Sequence, residues 1–186
     1  MAKSSKKEKS EIQVFENFTD NDVVIIFNFS EKNFYQRDEI VFKEKSKDAS
    51  LYIVLSGKLE AITHSPDGKG RISLSFIEEG EVFGELSFLD GKARSATIVA
   101  VTDVELLKIS KQSFEKLQKK HPDIASKLIV DLAKVVSLRL RNADKFIVDI
   151  FEMIRKNESK TIEVIKDDEP VKKVSKRATK SKIENK

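Results

Sequence analysis

Short apolar runs separated by turn residues, between residues 40 and 109, constrain the fold of this chain more than any other feature. Glycine, proline, serine and aspartate mark the turns between the runs, most clearly over residues 65–70. The spacing of roughly 8 to 12 residues predicts a sandwich or barrel of short strands rather than a parallel sheet with crossover helices. The predicted strands are 40–42, 51–55, 59–63, 72–77, 95–101 and 104–109.

Helices are predicted on both sides of this β unit. Residues 13–29 read as a short helical lead-in, with Thr19 or Asp20 as its N-cap. Ser110 is a suitable N-cap for a short helix after the last strand, and Pro122 suits the first position of another helix. The chain therefore combines an all-β unit with flanking helices.

The last of these helices is predicted to be long, because no glycine or further proline interrupts the chain from Pro122 to about Lys156. Such a helix has about 34 residues and a length of roughly 50 Å. One apolar stripe, Leu128, Leu132 and Val135, is expected to pack on the β unit. A second stripe follows a heptad seam, which predicts a parallel homodimer, although the same residues could pack within one monomer. The seam residues are Ile129, Ala133, Val136, Leu140, Ala143, Ile147, Ile150 and Ile154.

Charge is concentrated at the two ends of the chain. Residues 1–10 carry four lysines against one glutamate, and residues 169–186 carry seven basic residues against two glutamates. These segments contribute +3 and +5 to a net charge of +4, so the part that folds carries −4. The basic balance therefore does not indicate a basic binding face, although the tails could bind nucleic acid or an acidic protein through salt-sensitive contacts.

Polar, lysine-rich segments with few aromatic residues are expected to be disordered. The predicted organisation is a basic disordered arm at 1–12, the helical lead-in, β unit and short helix at 13–121, a long lid and dimerisation helix at 122–156, and a lysine-rich disordered tail at 157–186.

The stretch from Phe83 to Thr97 carries the candidate binding chemistry. Gly84 permits close approach of the backbone to a ligand, and the following Leu86 and Ser87 would open a helical turn whose N–H groups favour an anion. Arg94 can offer its guanidinium fork to phosphate oxygens.

A carboxylate is unexpected beside a phosphate, since like charges repel. Glu85 makes sense there if it accepts a hydrogen bond from a ribose hydroxyl. Together, Glu85 and Arg94 predict a ribose that bears a cyclic phosphate. The alternative is that the two residues only form an ion pair of little energetic value at a surface.

This stretch resembles the phosphate-binding cassette of the cyclic nucleotide-binding family, and the resemblance extends over residues 13 to about 147. It implies an α+β fold: an antiparallel, jelly-roll-like β-roll of about eight strands, with N-terminal helices, a short helix and a long C-terminal helix. The ligand-binding residues that it implies are Phe83, Gly84, Glu85, Leu86, Ser87, Arg94, Ser95, Ala96 and, on the long helix, Arg139.

The resemblance also bears on which nucleotide is bound. Ser95 favours cAMP over cGMP, and Arg139 falls where family members place a residue against the adenine ring, although it could equally be a solvated helix residue. The chain departs from the family at Asp38 and at 44–46, turns in which glycine is common. These departures are expected to affect loop geometry rather than the cassette.

Several function classes are disfavoured. The chain has no cysteine, and its two histidines, His64 and His121, are far apart, so no metal site is expected. No nucleophile motif or Walker loop occurs, which argues against an enzyme. The sequence shows no secretory or membrane-spanning segment, which predicts a cytoplasmic protein. No pair of short helices follows residue 156, so sequence-specific DNA recognition is not expected.

The sequence thus predicts a dimeric sensor of cAMP or cGMP that acts on an unidentified effector protein by moving its C-terminal helix. The alternative is a dimeric interaction module of the same fold, which is independent of nucleotide or binds another anion such as a cyclic dinucleotide.

Overall fold

The computed structural model describes residue 15, residues 17–65 and residues 67–167, with side chains as far as residue 156. Contacts divide the chain into two units, Met1–Leu140 and Arg141–Lys186. The predicted arm at 1–12 and the last part of the predicted tail, 168–186, lie outside the described residues.

Eight strands form the β part of the first unit. They are β1 Glu31–Tyr35, β2 Ile40–Phe42, β3 Leu51–Ser56, β4 Leu59–His64, β5 Arg71–Ile77, β6 Val82–Phe83, β7 Thr97–Ala100 and β8 Val104–Ile109. Two antiparallel four-stranded sheets result, in the orders β1-β8-β3-β6 and β2-β7-β4-β5. The predicted α+β fold with an antiparallel β-roll is confirmed.

Strands β1 and β6 were not predicted, and the prediction for the seventh strand began too early. In β1 only Phe34 and Tyr35 are apolar, and Phe34 is 71% exposed, so pairing with β8 rather than burial holds this strand. Strand β6 has two residues, too few for a periodic pattern. Residues 95–96 were expected in the seventh strand, which begins at Thr97.

Four helices complete the described chain: α1 Asp20–Asn28, α2 Glu85–Asp90, α3 Lys111–Lys120 and α4 Pro122–Asp167. Thr19 caps α1 in a reciprocal capping box with Asp22, and the Ser110 side chain accepts from the Ser113 backbone at the start of α3. Both predicted caps are confirmed.

The end of α4 corrects the sequence prediction. The helix has 46 residues and continues to Asp167, so the first eleven residues of the predicted disordered tail are helical. Residues 157–167 contain neither glycine nor proline, and the next proline in the chain is Pro170. Proline disfavours helical geometry at the residue before it, so Pro170 is the first sequence signal for the end of this helix. The prediction ended the helix earlier because it relied on the polar composition of residues 157–167.

Two hydrophobic clusters organise the first unit. One joins the apolar sides of β3 and β8 to the helices, and it includes Leu128, Leu132 and Val135 at 0–7% exposure. The prediction that this stripe of α4 packs on the β unit is therefore confirmed. The second cluster lies among strands of both sheets and includes Tyr52, Phe83 and Leu106. Phe83 thus joins the core to the stretch that carries the predicted binding residues.

The second unit is described here by the part of α4 from Arg141 onward. All its described side chains, as far as Lys156, are exposed. In the window 146–154, seven of the nine residues are apolar, and all seven are exposed. Within the described part of the chain, no helix has the length and apolar character needed to cross a membrane.

Candidate functional site

A cavity of about 180 Å³ lies where the cassette, strand β5 and helix α4 meet within the first unit. The cavity brings together every residue predicted to bind ligand, although those residues come from two regions more than 40 positions apart. Its lining comprises Phe42, Ala61, Leu74, Ser75, Ile77, Phe83, Gly84, Glu85, Leu86, Ser87, Arg94, Ser95, Ala96, Ile98 and Arg139.

Arg94 is the most constrained charged residue of the cavity. It is 2% exposed, and its guanidinium lies over the Phe42 ring, 4.0 Å from the centroid. Its Nη2 donates to Asp48 Oδ2 and to the Ser50 carbonyl, both at 2.7 Å, and its Nη1 donates to the Gly84 carbonyl at 3.0 Å. Its Nε, also buried, has no hydrogen-bond partner among the described residues.

Gly84 makes room for this guanidinium. Its φ of +77° lies in the left-handed region, and a Cβ there would collide with Arg94 Nη1 and lie 2.9 Å from the Ser50 carbonyl oxygen. Glycine is therefore required here by the arginine itself, in addition to any close approach of a ligand. The residue serves as the N-cap of α2, so the turn into this helix and the position of Arg94 depend on each other.

The turn between β2 and β3 holds Arg94 from the other side. The backbone N–H of Lys45 donates to the Arg94 carbonyl at 2.8 Å, and the Arg94 N–H donates to the Ser46 carbonyl at 2.9 Å. Lys45 has a φ of +67°, and Asp38 in the preceding turn has a φ of +69°. Both turns thus keep the left-handed geometry that glycine adopts most easily, and the departures noted in the sequence do not remove it.

Asp48 was not predicted as a site residue. Burial by itself raises the pKa of this carboxyl, but hydrogen bonds from Arg94 and Ser50 outweigh that effect and hold the pKa below its ordinary value. Asp48 lies 46 positions before Arg94, and no local pattern links the two residues. Its position just before a buried strand was the only available signal.

Glu85 and Arg139 form the second charged pair of the cavity. Arg139 Nη1 lies 2.6 Å from Glu85 Oε1, and Arg139 Nη2 donates to the Val82 carbonyl at 2.6 Å. The Glu85 side chain is 4% exposed, whereas that of Arg139 is 43% exposed. Helix α4 is therefore tied to the cassette through a buried carboxylate and a half-exposed guanidinium.

The charged residues that line the cavity are two arginines and one glutamate. Asp48, outside the lining, pairs with Arg94 at 2.7 Å, so the four groups together carry no net charge. In a larger, shallow depression of about 570 Å³ along β1, the charged lining residues are all acidic: Glu39, Asp103 and Glu105. Among the described residues, no cluster of His, Asp or Glu is arranged to hold a metal ion.

Comparison with known proteins identifies the family of this domain. Residues 32–121 match the family model described as the cyclic nucleotide-binding domain. The chain therefore contains a domain of the cyclic nucleotide-binding family, and the resemblance carried by the cassette is confirmed.

Similar proteins agree with this assignment. The cyclic AMP receptor protein of Thermus thermophilus is 32% identical over 131 residues, which cover 70% of this chain and 58% of the relative. A lysophospholipase of Neurospora crassa is 31% identical over 103 residues, which cover 55% of this chain and 6% of the relative. The crystal structure of the Thermus thermophilus catabolite activator protein superposes with a TM-score of 0.66 at 28% identity, over 76% of this chain and 63% of that one. The chain thus spans little more than half of the first relative and a small part of the second.

Proposed function

We propose that this domain binds a cyclic mononucleotide, with cAMP as the first candidate, and reports its presence to another protein. The observation that carries the proposal is the buried guanidinium of Arg94, which lines the cavity while its Nε lacks a partner among the described residues. An unpaired buried donor costs about 1–3 kcal/mol. A phosphate oxygen that accepts from Nε would recover that free energy and add a charge-assisted hydrogen bond.

The charged groups of the cavity support a nucleotide with a single phosphate. Arg94 is the buried cation that can contact a phosphate, whereas Arg139 is already paired with Glu85. A cyclic dinucleotide carries a second phosphate, for which the described lining offers no second buried cation. Glu85 then accepts a hydrogen bond from a ribose hydroxyl, a role that a purely anion-binding site would not require.

The size of the cavity supports a division of the ligand into a buried and an exposed part. Its volume of about 180 Å³ is smaller than the roughly 300 Å³ at the lower end for whole ligands. We therefore place the ribose and phosphate inside and the base at the rim, between Leu74 and Arg139. Leu74 is 54% exposed and offers an apolar surface, and Ser95 lies on the cassette side, where it favours cAMP over cGMP.

The ion pair between Glu85 and Arg139 supports a role for α4 as the moving part. A ribose hydroxyl that donates to Glu85 shares this carboxylate with Arg139, so ligand and α4 meet at the same group and ligand can alter the contact between them. Ligand shifts the position of the helix only to the extent that it binds one position more tightly. The heptad seam of α4 would make this helix a dimer interface and present the change to an effector protein.

A second function has an observation in its favour. The guanidinium of Arg94 already has three acceptors and an aromatic ring, so it also serves as a structural link between β3, α2 and the turn at 43–48. A domain that uses Arg94 only in this way would be an interaction module that is independent of nucleotide.

Thermal melting separates the two functions. Ligand present at 100 times its Kd stabilises the folded chain by about 2.7 kcal/mol. We expect such a shift with cAMP, a smaller shift with cGMP, and none with linear AMP as a control. Cyclic di-GMP is included as the other anion. Absence of a shift with all four compounds at millimolar concentration would leave the interaction module as the function.

Sedimentation tests the dimer. Leu140 and Ile147 are 62% and 50% exposed in a single chain, so both are available for contact with a partner helix. Glutamate at either position should reduce assembly, because an isolated charge in an apolar seam is costly to bury. Wild-type chains that sediment as monomers at high concentration would contradict the dimer.

A further inference from the structure

The window 146–154 of α4 is apolar around most of its circumference. Only Asp149 and Glu152 interrupt it, and they lie three positions apart, on one side of the helix. The apolar side chains of the window are between 39% and 67% exposed: Phe146, Ile147, Val148, Ile150, Phe151, Met153 and Ile154. A helix with apolar residues on nearly all sides is normally buried by more than one neighbour.

A pair of parallel helices covers only the seam. The seam assigns Ile147 and Ile154 to a positions and Ile150 to a d position. Phe146 and Met153 then fall at g positions and Phe151 at an e position. These flanking positions carry charges in ordinary two-stranded coiled coils. Here they form an apolar surface, the flank face, defined by Phe146, Phe151 and Met153.

The residues of the seam itself favour more than two strands. Two-stranded coiled coils prefer β-branched residues at a and leucine at d, whereas isoleucine at both a and d shifts the preference to trimers and tetramers. In this window the layers are Ile147, Ile150 and Ile154, with isoleucine at both kinds of position.

The exposed area is large enough for a second interface. Phe146 and Phe151 are 64% and 67% exposed, and a phenylalanine side chain presents roughly 200 Å². Two such residues leave about 260 Å² uncovered per chain, hence about 1,000 Å² over four chains, before Met153 is counted. That area reaches the lower bound of about 1,000 Å² for a specific interface.

We infer that two dimers associate through their flank faces, so that the 146–154 segments of four chains form a four-helix bundle. The occupant of the flank face is therefore a second copy of this chain's dimer, in a closed symmetric tetramer. This inference rests on the dimer of the proposed function, because the seam must pair before the flank faces of two chains form one surface. The outward side of the bundle would consist of Lys145, Asp149, Glu152 and Lys156.

Sedimentation equilibrium of the full chain at tens of micromolar tests the inference. We expect a mass of four chains for the wild type. The double substitution Phe146→Glu and Phe151→Lys should give two chains with an unchanged helical circular dichroism signal. It makes the flank face charged, while the g and e positions that face each other across the seam carry opposite charges and do not repel. Lys145→Glu, on the outward side, is the matched control and should retain four chains.

The results separate this inference from the dimer. A wild-type mass of two chains at every concentration, or a tetramer that survives the double substitution, would overturn the tetramer while the dimer stands. A wild-type monomer would overturn both. If the double variant does not fold, Phe151→Ala replaces it, and a tenfold or greater weakening of the dimer-to-tetramer equilibrium is the result that supports the inference.

Discussion

The two walls of the cavity hold their arginines in different ways. On the cassette wall, Arg94 is 2% exposed and is fixed through both its backbone and its side chain by three segments of the chain. On the helix wall, the Arg139 side chain is 43% exposed and is held by Glu85 and the Val82 carbonyl. A fixed guanidinium suits recognition of a constant group such as phosphate, whereas an exposed one can change partners.

We expect the largest effect on cAMP binding from a substitution on the cassette wall. Arg94→Ala should weaken cAMP binding about 30-fold or more, because removal of one partner from a buried charged contact costs about 2–5 kcal/mol. Isothermal titration calorimetry measures this loss, and circular dichroism checks that the chain still folds. Lys92→Ala, an exposed position two residues away, is the control and should bind like the wild type. If the Arg94 variant binds cAMP with an affinity within threefold of wild type, Arg94 of the cassette wall has only a structural role.

Glu85 links the two walls, and its effect should be intermediate. Glu85→Gln keeps the shape but converts a charge-assisted hydrogen bond to ribose into a neutral one, which we expect to weaken cAMP binding about 5- to 10-fold. Calorimetry with cAMP and 2′-deoxy-cAMP measures the contribution of the hydroxyl. The preference for cAMP over 2′-deoxy-cAMP should be smaller in the variant than in the wild type. Glu79→Gln, at an exposed position nearby, serves as the control, and an equal preference in both variants would exclude Glu85 as the ribose acceptor.

Asp48 does not line the cavity, but it holds Arg94 of the cassette wall through an ion pair. Its pKa in the folded chain is depressed, so its contribution to stability is present above its ordinary pKa of 3.8 and is lost as the pH falls through the lower folded value. Wild-type unfolding should therefore become easier with acidification below about pH 4. Asp48→Asn should flatten part of this dependence and weaken cAMP binding about three- to tenfold, since Arg94 loses a charged partner. Identical acid unfolding curves for variant and wild type would show that this pair does not stabilise the fold.

The difference between the walls also explains what the sequence could predict. The residues that face the cavity from the cassette are adjacent in sequence, so Gly84, Glu85 and Arg94 could be identified together. The residues that hold Arg94 in place, Asp48 and Ser50, come from a distant turn and are brought close only by the pairing of the strands. Local patterns do not contain that information.

The fold shows the same division. Strands with apolar runs, such as Leu51–Ser56, were identified because burial leaves a pattern in the sequence. Strand β1 was missed because its stability comes from backbone pairing with β8, to which its polar residues contribute no periodic signal. The end of α4 was missed for a related reason, since a polar composition was taken to mean disorder although nothing in residues 157–167 terminates a helix.

We expect the smallest effect on cAMP affinity from a substitution on the helix wall. There the free energy of unfolding should change instead. Arg139→Ala leaves the Glu85 carboxylate, 4% exposed, without its cationic partner. Loss of a partner from a fully buried pair costs about 3–5 kcal/mol, and we expect about 1–2 kcal/mol here because Arg139 is half-exposed. Binding of cAMP should weaken only two- to fivefold, since release of Glu85 to the ribose offsets the lost contact with the base. Urea unfolding and calorimetry on the same samples measure the two quantities. A loss of affinity as large as that of the Arg94 variant, with unchanged stability, would mean that both walls are fixed recognition elements and that α4 does not exchange partners when ligand binds.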